Sequence, residues 1–320
     1  FAKTRCLQPG ETQQVTLRLA ADSMASYDDT GKIAKSAYVM EAGEYRFYLG
    51  NSVRNTEKVS FVYKEVADRV VLVLKERVAH RQLAKRMLAD GSYEELPVQA
   101  EWKAERFPGF VEGNPPHKGH WEGDTTANER GADAPEKKIM LMDVVNGDAS
   151  MEEFLAQLTN GQLIDLLCGQ PNTGVANTFG MGNLPEYGVP NLMTADGPAG
   201  VRIRPGLGVC TTAWPCATLL ACTWNPDLVY EIGAAGAREM KENNLGIWLT
   251  PAMNIHRSPL CGRNFEYYSE DPLIAGKMAA AKVNGIQSEH IGASIKHFAC
   301  NNKETNRKAS DSRVSERALR

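Results

Sequence analysis

Four polar side chains stand where short apolar runs of this sequence end. Asp196 follows the first of three such runs, and Arg263 lies in the loop after the second. Lys296 and His297 end the third run. A carboxylate accepts hydrogen bonds from two adjacent hydroxyl groups, whereas lysine, arginine and histidine donate to others. The set therefore suits a ligand rich in hydroxyl groups, which such a site selects by matching each oxygen.

Each of these residues also has an ordinary structural interpretation. Asp196 could cap the turn that follows it, and Arg263 could pair with Glu266 or with later acidic residues of its loop. His297 could be a core histidine whose ring is hydrogen-bonded internally. Lys296 is harder to explain in this way, because lysine is seldom fully buried without partners. The joint pattern favours a binding site more strongly than any one residue does.

The elements that must position these residues alternate between strand and helix. The predicted strands are Leu192–Ala195, Ile247–Thr250 and Gly292–His297, and the predicted helices are Pro226–Asn243 and Pro272–Ser288. Such alternation is typical of right-handed βαβ units that form a parallel sheet. The units are too few for a complete barrel, so residues 149–320 are predicted to be the N-terminal part of a (β/α)8 barrel. Loops at the carboxyl ends of its strands then form the active site.

The first part of the chain has a different periodicity. Apolar residues alternate with polar ones over 15–19, 45–49 and 59–63, which predicts half-buried β-strands within residues 1–66. So few strands make only part of an all-β sandwich, which precedes the α/β domain. Residues 67–148 are predicted to contain a strand-like apolar run, a helix that ends at Leu88 and a long irregular linker.

Composition and charge exclude several classes of protein. Lys and Arg number 36 against 39 Asp and Glu, so the chain lacks the basic excess of a nucleic-acid binder. No apolar stretch reaches the length of a membrane span. Seven cysteines without a Cys-x-x-Cys pair predict free and mostly buried thiols in a reducing compartment, hence a cytoplasmic protein. We expect no structural metal and no cofactor. His117 and His120 are interpreted as linker residues.

Neither end of the sequence looks like a natural terminus. The chain starts with Phe1, without a signal-like segment, and its last residues have a helical pattern that stops at Arg320. We therefore expect it to be a piece of a longer polypeptide. The long connector could serve as an arm between the subunits of a homo-oligomer.

Four motifs in the α/β part resemble glycoside hydrolase family 3, and they occur in that family's order. They are Leu192–Arg202 (LMTADGPAGVR), Gly262–Pro272 (GRNFEYYSEDP), Lys296–Phe298 (KHF) and Asn302–Arg307 (NKETNR). Residues 1–66 resemble the later part of that family's fibronectin type III-like domain. Because this part precedes the barrel, the chain resembles the minority of members with reversed domain order, in which an α/β sandwich domain comes first.

The resemblance implies a role for each site residue. Asp196 would accept hydrogen bonds from the distal hydroxyl groups of the sugar that is cleaved off. Arg202, Arg263, Lys296 and His297 would hold the remaining hydroxyl groups, and Arg307 would lie near the nucleophile. The family is retaining, which requires two carboxyl groups about 5–5.5 Å apart. The resemblance puts the nucleophile after Arg320 and the acid/base before Phe1, so we assign no catalytic residue to this chain.

These implications define the expected function and its alternatives. The chain is interpreted as a segment of a retaining, exo-acting β-glucosidase whose partners are a β-glucoside and the rest of the parent polypeptide. The sequence after His297 lacks the Pro-Gly-His-Gly extension of the N-acetylglucosaminidase branch. A β-xylosidase of the same family and a non-catalytic sugar-binding protein remain alternatives. A barrel aldolase with Lys296 as its Schiff-base lysine is a further, less favoured, hypothesis.

Overall fold

The computed structural model of the chain describes residues 1–74, 78, 83–96 and 137–320. The chain divides into two compact units, one made of Phe1–Cys6 and Gly113–Lys308, the other of Leu7–Glu112 and Ala309–Arg320. Most of the expected linker, with His117 and His120, lies outside the described residues.

The unit that includes residues 7–96 is built from antiparallel strands. Its strands are β1 (Ser26–Asp28), β2 (Ala37–Met40), β3 (Gly43–Ser52), β4 (Asn55–Glu65), β5 (Arg69–Val73), β6 (Lys85–Met87) and β7 (Tyr93–Glu95). β2 lies between β1 and β5, whereas β3 pairs with β4 and β6 pairs with β7. Expected strands over 45–49 and 59–63 are confirmed as β3 and β4. Residues 309–320 contribute a short helix, Glu316–Leu319.

Two expectations for this part of the chain are wrong. Residues 15–19 form no strand, and Leu17 and Leu19 are half exposed or more. Alternation of apolar and polar residues does not by itself provide a neighbouring strand whose backbone could pair with this segment. Part of the helix expected to end at Leu88 lies outside the described residues, but its last residues form β6 instead. Its basic residues pair across the hairpin instead of along a helix face, since Arg86 is opposite Glu94 and donates to it at 2.7 Å.

A buried carboxylate organises the loop that joins β1 to β2. Asp28 accepts hydrogen bonds from the five backbone N–H groups of residues 30–34, among them Gly31 at 2.8 Å and Ile33 at 2.7 Å. Burial raises the pKa of this carboxyl, but the backbone hydrogen bonds outweigh it and lower the pKa to about 2. The loop thus depends on an ionised side chain.

The second unit has the α/β character that the sequence indicates. Its elements are α1 (Leu141–Asn146), α2 (Met151–Ala156), α3 (Asn160–Leu167), β8 (Gly180–Leu184), β9 (Val189–Ala195), α4 (Ala217–Cys222), α5 (Pro226–Glu242), β10 (Ile247–Trp248), α6 (Pro272–Ser288) and β11 (Gly292–Ala293). The sheet order is β11-β10-β9-β8, with β9, β10 and β11 parallel and β8 antiparallel to β9. The two long helices are confirmed, whereas β10 and β11 are shorter than expected.

Helix ends in this unit follow local capping chemistry. Ser150 and Glu153 form the expected capping box, with Glu153 N donating to the Ser150 hydroxyl at 3.1 Å. The packing nevertheless begins before residue 149, because Leu141 of α1 packs against the cluster that contains Phe154. α5 and α6 approach closely at Gly285, where a Cβ would collide with the Tyr230 carbonyl.

The cysteines are free, but they are mostly not buried. All seven lie in the described part of the chain as free thiols, yet only Cys261 is buried and four are exposed. The expectation of mostly buried thiols is wrong, because most of them lie on loops or at helix ends. Among the described residues, no helix is both long and apolar enough to cross a bilayer.

Replacing Asp28 with Asn tests its role in the loop. An amide cannot accept all of these N–H groups, so we expect the free energy of unfolding at neutral pH to fall by about 2–3 kcal/mol. The folded pKa lies below the ordinary value of 3.8, so this contribution is present above pH 4 and lost as pH falls towards 2. Urea unfolding at several pH values measures both effects. Asp22→Asn, which removes an exposed ion pair with Arg69, is the control and should cost under about 1 kcal/mol; equal losses would refute the assignment.

Candidate functional site: a polar cleft at the strand ends

The parallel strands bring their carboxyl ends to one edge of the sheet. Backbone pairing continues beyond the strands, since Leu249 N donates to Ala195 O at 2.8 Å and Lys296 N donates to Pro251 O at 3.0 Å. Asp196 and Lys296 therefore meet although they are far apart in sequence. All six residues singled out in the sequence line one cleft of about 800 Å³; they are Asp196, Arg202, Arg263, Lys296, His297 and Arg307.

Asp196 lies between two cations. Its Oδ1 accepts a hydrogen bond from Lys296 Nζ, and its Oδ2 accepts from Arg202 at 2.8 Å. Burial raises the pKa of Asp196, but the hydrogen bond and charge of Lys296, the Gly197 N–H and the charge of Arg202 outweigh it. The pKa therefore lies below its ordinary value, and Asp196 remains an ionised hydrogen-bond acceptor.

The turn that carries Asp196 is held from below by two side chains. Gly197 has φ +113°, and a Cβ there would collide with the Gly200 carbonyl, so only glycine fits this turn. The Trp248 indole N–H donates to Gly197 O at 3.0 Å. Lys282 Nζ donates to Pro198 O at 2.6 Å and lies 4.7 Å from the centre of the Trp248 ring. Together they satisfy two adjacent carbonyl groups of the turn.

Arg263 both pairs with a neighbouring carboxylate and lines the cleft, so each of the two roles considered for it from the sequence applies. Its Nε donates a hydrogen bond to the buried Glu266 carboxylate, which is the structural pairing. Its NH1 also lies 4.0 Å from Glu304 Oε1, and the side chain still lines the cleft. Arg307 donates to Glu304 Oε2 at 3.2 Å, so the two arginines share one carboxylate.

His297 is half-buried and its ring is hydrogen-bonded on one side. Its Nδ1 lies 3.0 Å from the hydroxyl of Tyr267, which is fully buried. Burial lowers the pKa of His297, and the charges of Arg263 and Lys296 lower it further. The ring is therefore held neutral near physiological pH.

Sequence reasoning missed Lys282, Trp248 and Tyr267, which support the site from beneath. A signal existed for Lys282, because it interrupts the apolar and small residues of a helix whose neighbours Ala279 and Ile286 are buried. Tyr267 lies inside the GRNFEYYSEDP motif, but nothing in its spacing indicates that its hydroxyl contacts His297. Groups of three or more potential metal ligands do not occur among the residues that the structure describes.

Comparison with known proteins identifies the family. The model for the glycosyl hydrolase family 3 N terminal domain matches residues 137–317. The chain belongs to glycosyl hydrolase family 3. A model for the fibronectin type III-like domain matches residues 1–53, at the other end of the chain. The first match begins earlier than residue 149, in agreement with the packing of α1.

Relatives of the family 3 chain are longer than the chain itself. It is 54% identical to beta-glucosidase A of Butyrivibrio fibrisolvens and 39% identical to a beta-glucosidase of Ruminococcus albus. Each alignment covers all of this chain but only 40% and 33% of those proteins. The structure of a beta-glucosidase from Paenibacillus barengoltzii is similar with a TM-score of 0.81 and 38% identity, over 99% of this chain and 35% of that one.

Lys282 should give the protein a measurable pH dependence of stability. Burial lowers its pKa from 10.5 to about 7, so between these values the unfolded state binds the additional proton. The free energy of unfolding therefore increases as the pH rises from about 7 towards 10.5. Lys282→Met should abolish that gain, on the order of 2–4 kcal/mol between pH 6 and 10.

Chemical unfolding of wild type and variant at pH 6, 8 and 10 measures the effect. Lys277→Met, at an exposed position of the same helix, is the matched control. Identical pH profiles for wild type and Lys282→Met would contradict the assignment.

Proposed function

We propose that this chain is part of a retaining, exo-acting β-glucosidase and forms part of its subsite for the terminal glucosyl residue. The observation that carries the proposal is the cleft, in which an ionised acceptor and several cationic donors from separate βα units face the same space. The similarity to the beta-glucosidases of Butyrivibrio and Ruminococcus supports glucose as the sugar. The chain spans less than half the length of these relatives.

In this proposal Asp196 accepts hydrogen bonds from two adjacent sugar hydroxyl groups. The Lys296 and Arg202 cations keep it ionised and can donate to the oxygens of the same hydroxyl groups. Each sugar oxygen then meets a charged partner in a partly buried site, where such hydrogen bonds are strong. Lys296 Nζ is hydrogen-bonded to the Asp196 carboxylate, whereas a Schiff-base lysine must present its amine to the carbonyl group of the substrate. This disfavours the aldolase alternative.

The catalytic carboxyl groups are proposed to come from polypeptide outside residues 1–320. A retaining enzyme needs an acid whose pKa is raised, together with a nucleophile. The pKa of Asp196 lies below its ordinary value, and the hydrogen bond from Asn301 lowers that of Glu304. Glu266 is bound to Arg263. Among the described residues, each carboxylate of the cleft therefore already has a cationic or hydrogen-bonding partner.

The rest of the parent polypeptide is part of the same proposal. Three parallel strands with their helices would be completed to a (β/α)8 barrel, and a preceding α/β sandwich domain would supply the acid/base. The free thiols fit a reducing compartment, which supports a cytoplasmic location.

Asp196→Asn in the complete enzyme tests the function. The amide can neither pair with both cations nor accept from both hydroxyl groups, so kcat/KM for an aryl β-glucoside should fall by about 10³-fold, which is about 4 kcal/mol. Steady-state kinetics with aryl β-glucoside and aryl β-xyloside measure the loss and the sugar preference. The control is Asp227→Asn, at an exposed position in the first turn of α5.

Near-normal hydrolysis by Asp196→Asn would contradict the proposed role. Absence of glycoside hydrolysis in the complete wild-type protein would favour the non-catalytic, sugar-binding alternative. A higher kcat/KM for the aryl β-xyloside than for the aryl β-glucoside would identify the complete enzyme as a β-xylosidase instead of a β-glucosidase.

A further inference from the structure

A chain of hydrogen bonds leads from a carboxylate to the His297 ring. Glu304 Oε1 accepts from Asn301 Nδ2 at 2.8 Å, and the same nitrogen lies 2.8 Å from the Tyr267 hydroxyl. That hydroxyl is 3.0 Å from His297 Nδ1. Four side chains from three segments are thus linked in series, and the last of them lines the cleft.

The chemistry of the groups fixes the direction of each hydrogen bond. The Glu304 carboxylate can only accept, so the Asn301 atom that faces it must be the NH2 group. The second hydrogen of this NH2 group points to Tyr267, whose oxygen therefore accepts. The hydroxyl hydrogen of Tyr267 is left to donate, and the remaining partner within reach is His297 Nδ1. His297 Nδ1 must then be the unprotonated nitrogen of the ring.

We propose that Tyr267 is a positioning residue that holds His297 as the tautomer with its proton on Nε2. Among the described residues, Nε2 has no hydrogen-bond partner, so its N–H is free to donate into the cleft. The inference rests on the proposed function for the identity of the acceptor, which is a sugar hydroxyl oxygen. Without this chain of hydrogen bonds the ring could present a lone pair instead of a donor.

Burial and the neighbouring charges keep each of the hydrogen-bonded side chains in the required protonation state. The hydrogen bond from Asn301 and the charges of Arg263 and Arg307 lower the pKa of Glu304, so it remains an acceptor. Burial raises the pKa of Tyr267, so the phenol keeps the proton that it donates. His297 also faces two cations, Arg263 and Lys296, and two carboxylates, Glu266 and Asp196. Burial and the cations lower the pKa of His297, and together they outweigh the carboxylates, which raise it.

Histidine ¹⁵N spectroscopy tests the tautomer directly. A protonated and an unprotonated ring nitrogen differ strongly in chemical shift, and the spectra are recorded on the complete protein that contains this chain. Loss of one set of signals in His297→Gln assigns the residue. We expect wild-type His297 at pH 8 to have a protonated Nε2 and an unprotonated Nδ1. A protonated Nδ1 in the wild type would overturn the proposal.

A double substitution should reverse the direction of these hydrogen bonds while conserving the net charge of the four side chains. In Asn301→Asp with Glu304→Gln, residue 304 donates and residue 301 accepts, so the Tyr267 hydroxyl donates to residue 301 and its oxygen accepts from His297. The proton should then move to Nδ1, and the two ¹⁵N signals should exchange character. Retention of the Nε2 proton in a folded double variant would overturn the proposal.

Tyr267→Phe provides a second, simpler test if the double variant does not fold. Loss of the Tyr267 donor to Nδ1 should release the ring into exchange between tautomers, so its two ¹⁵N shifts move towards each other. Unchanged shifts would overturn the proposal. Tyr27→Phe, in the other unit, is the control and should leave the His297 signals unchanged.

These spectra need no substrate, so their outcome is separate from that of the proposed function. A wrong tautomer would overturn this inference and leave glucoside hydrolysis untouched. In the complete enzyme, the reversed variant should lower kcat/KM for the aryl β-glucoside by about 10–100-fold, because a sugar oxygen would face a lone pair where it meets a donor in the wild type. An unchanged kcat/KM with a reversed tautomer would overturn the proposed donation to the sugar.

Discussion

The ionised carboxylate of Asp196, held between Lys296 and Arg202, is the constraint on which the cleft depends. A half-buried charge is costly unless it is paired, and these cations stabilise it in the form that accepts hydrogen bonds. Pairing across so long a stretch of chain requires the strands that end at Asp196 and near Lys296 to lie in one sheet. The order β11-β10-β9 meets this requirement, with β10 between the two.

Beneath the residues that face the cleft lies a layer that orients them. Trp248 and Lys282 satisfy the carbonyl groups of the turn at Gly197, so the carboxylate is presented from a backbone with little freedom to rotate. Tyr267 has the corresponding position under His297. Such supporting contacts determine how accurately a binding group is placed, because the group in the cleft cannot be more rigid than what holds it.

Prediction from sequence was most accurate where the signal was local. The helices that start at Pro226 and Pro272 carry a proline and an N-cap side chain, and both begin where those residues indicate. It failed at 15–19 and near Leu88, where an amphipathic pattern was compatible with more than one structure. Arg86 lies in a strand and pairs with Glu94 on the opposite strand. The pattern of the residues next to Arg86 does not indicate this partner. The six residues singled out from the sequence line one cleft, and they were singled out because they end apolar runs or lie in recognisable motifs.

The sequence by itself determined the family, the α/β character expected of residues 149–320 and the types of side chain that line the cleft. Those properties follow from periodicity and motif, which are encoded along the chain. Only the tertiary structure decided that Arg202 and Lys296 share one carboxylate, that Lys282 lies under the turn at Pro198, and that Tyr267 faces His297 Nδ1. Hydrogen-bond partners and their direction depend on distances between segments that are separate in sequence, and these distances exist only once the strands and helices have packed.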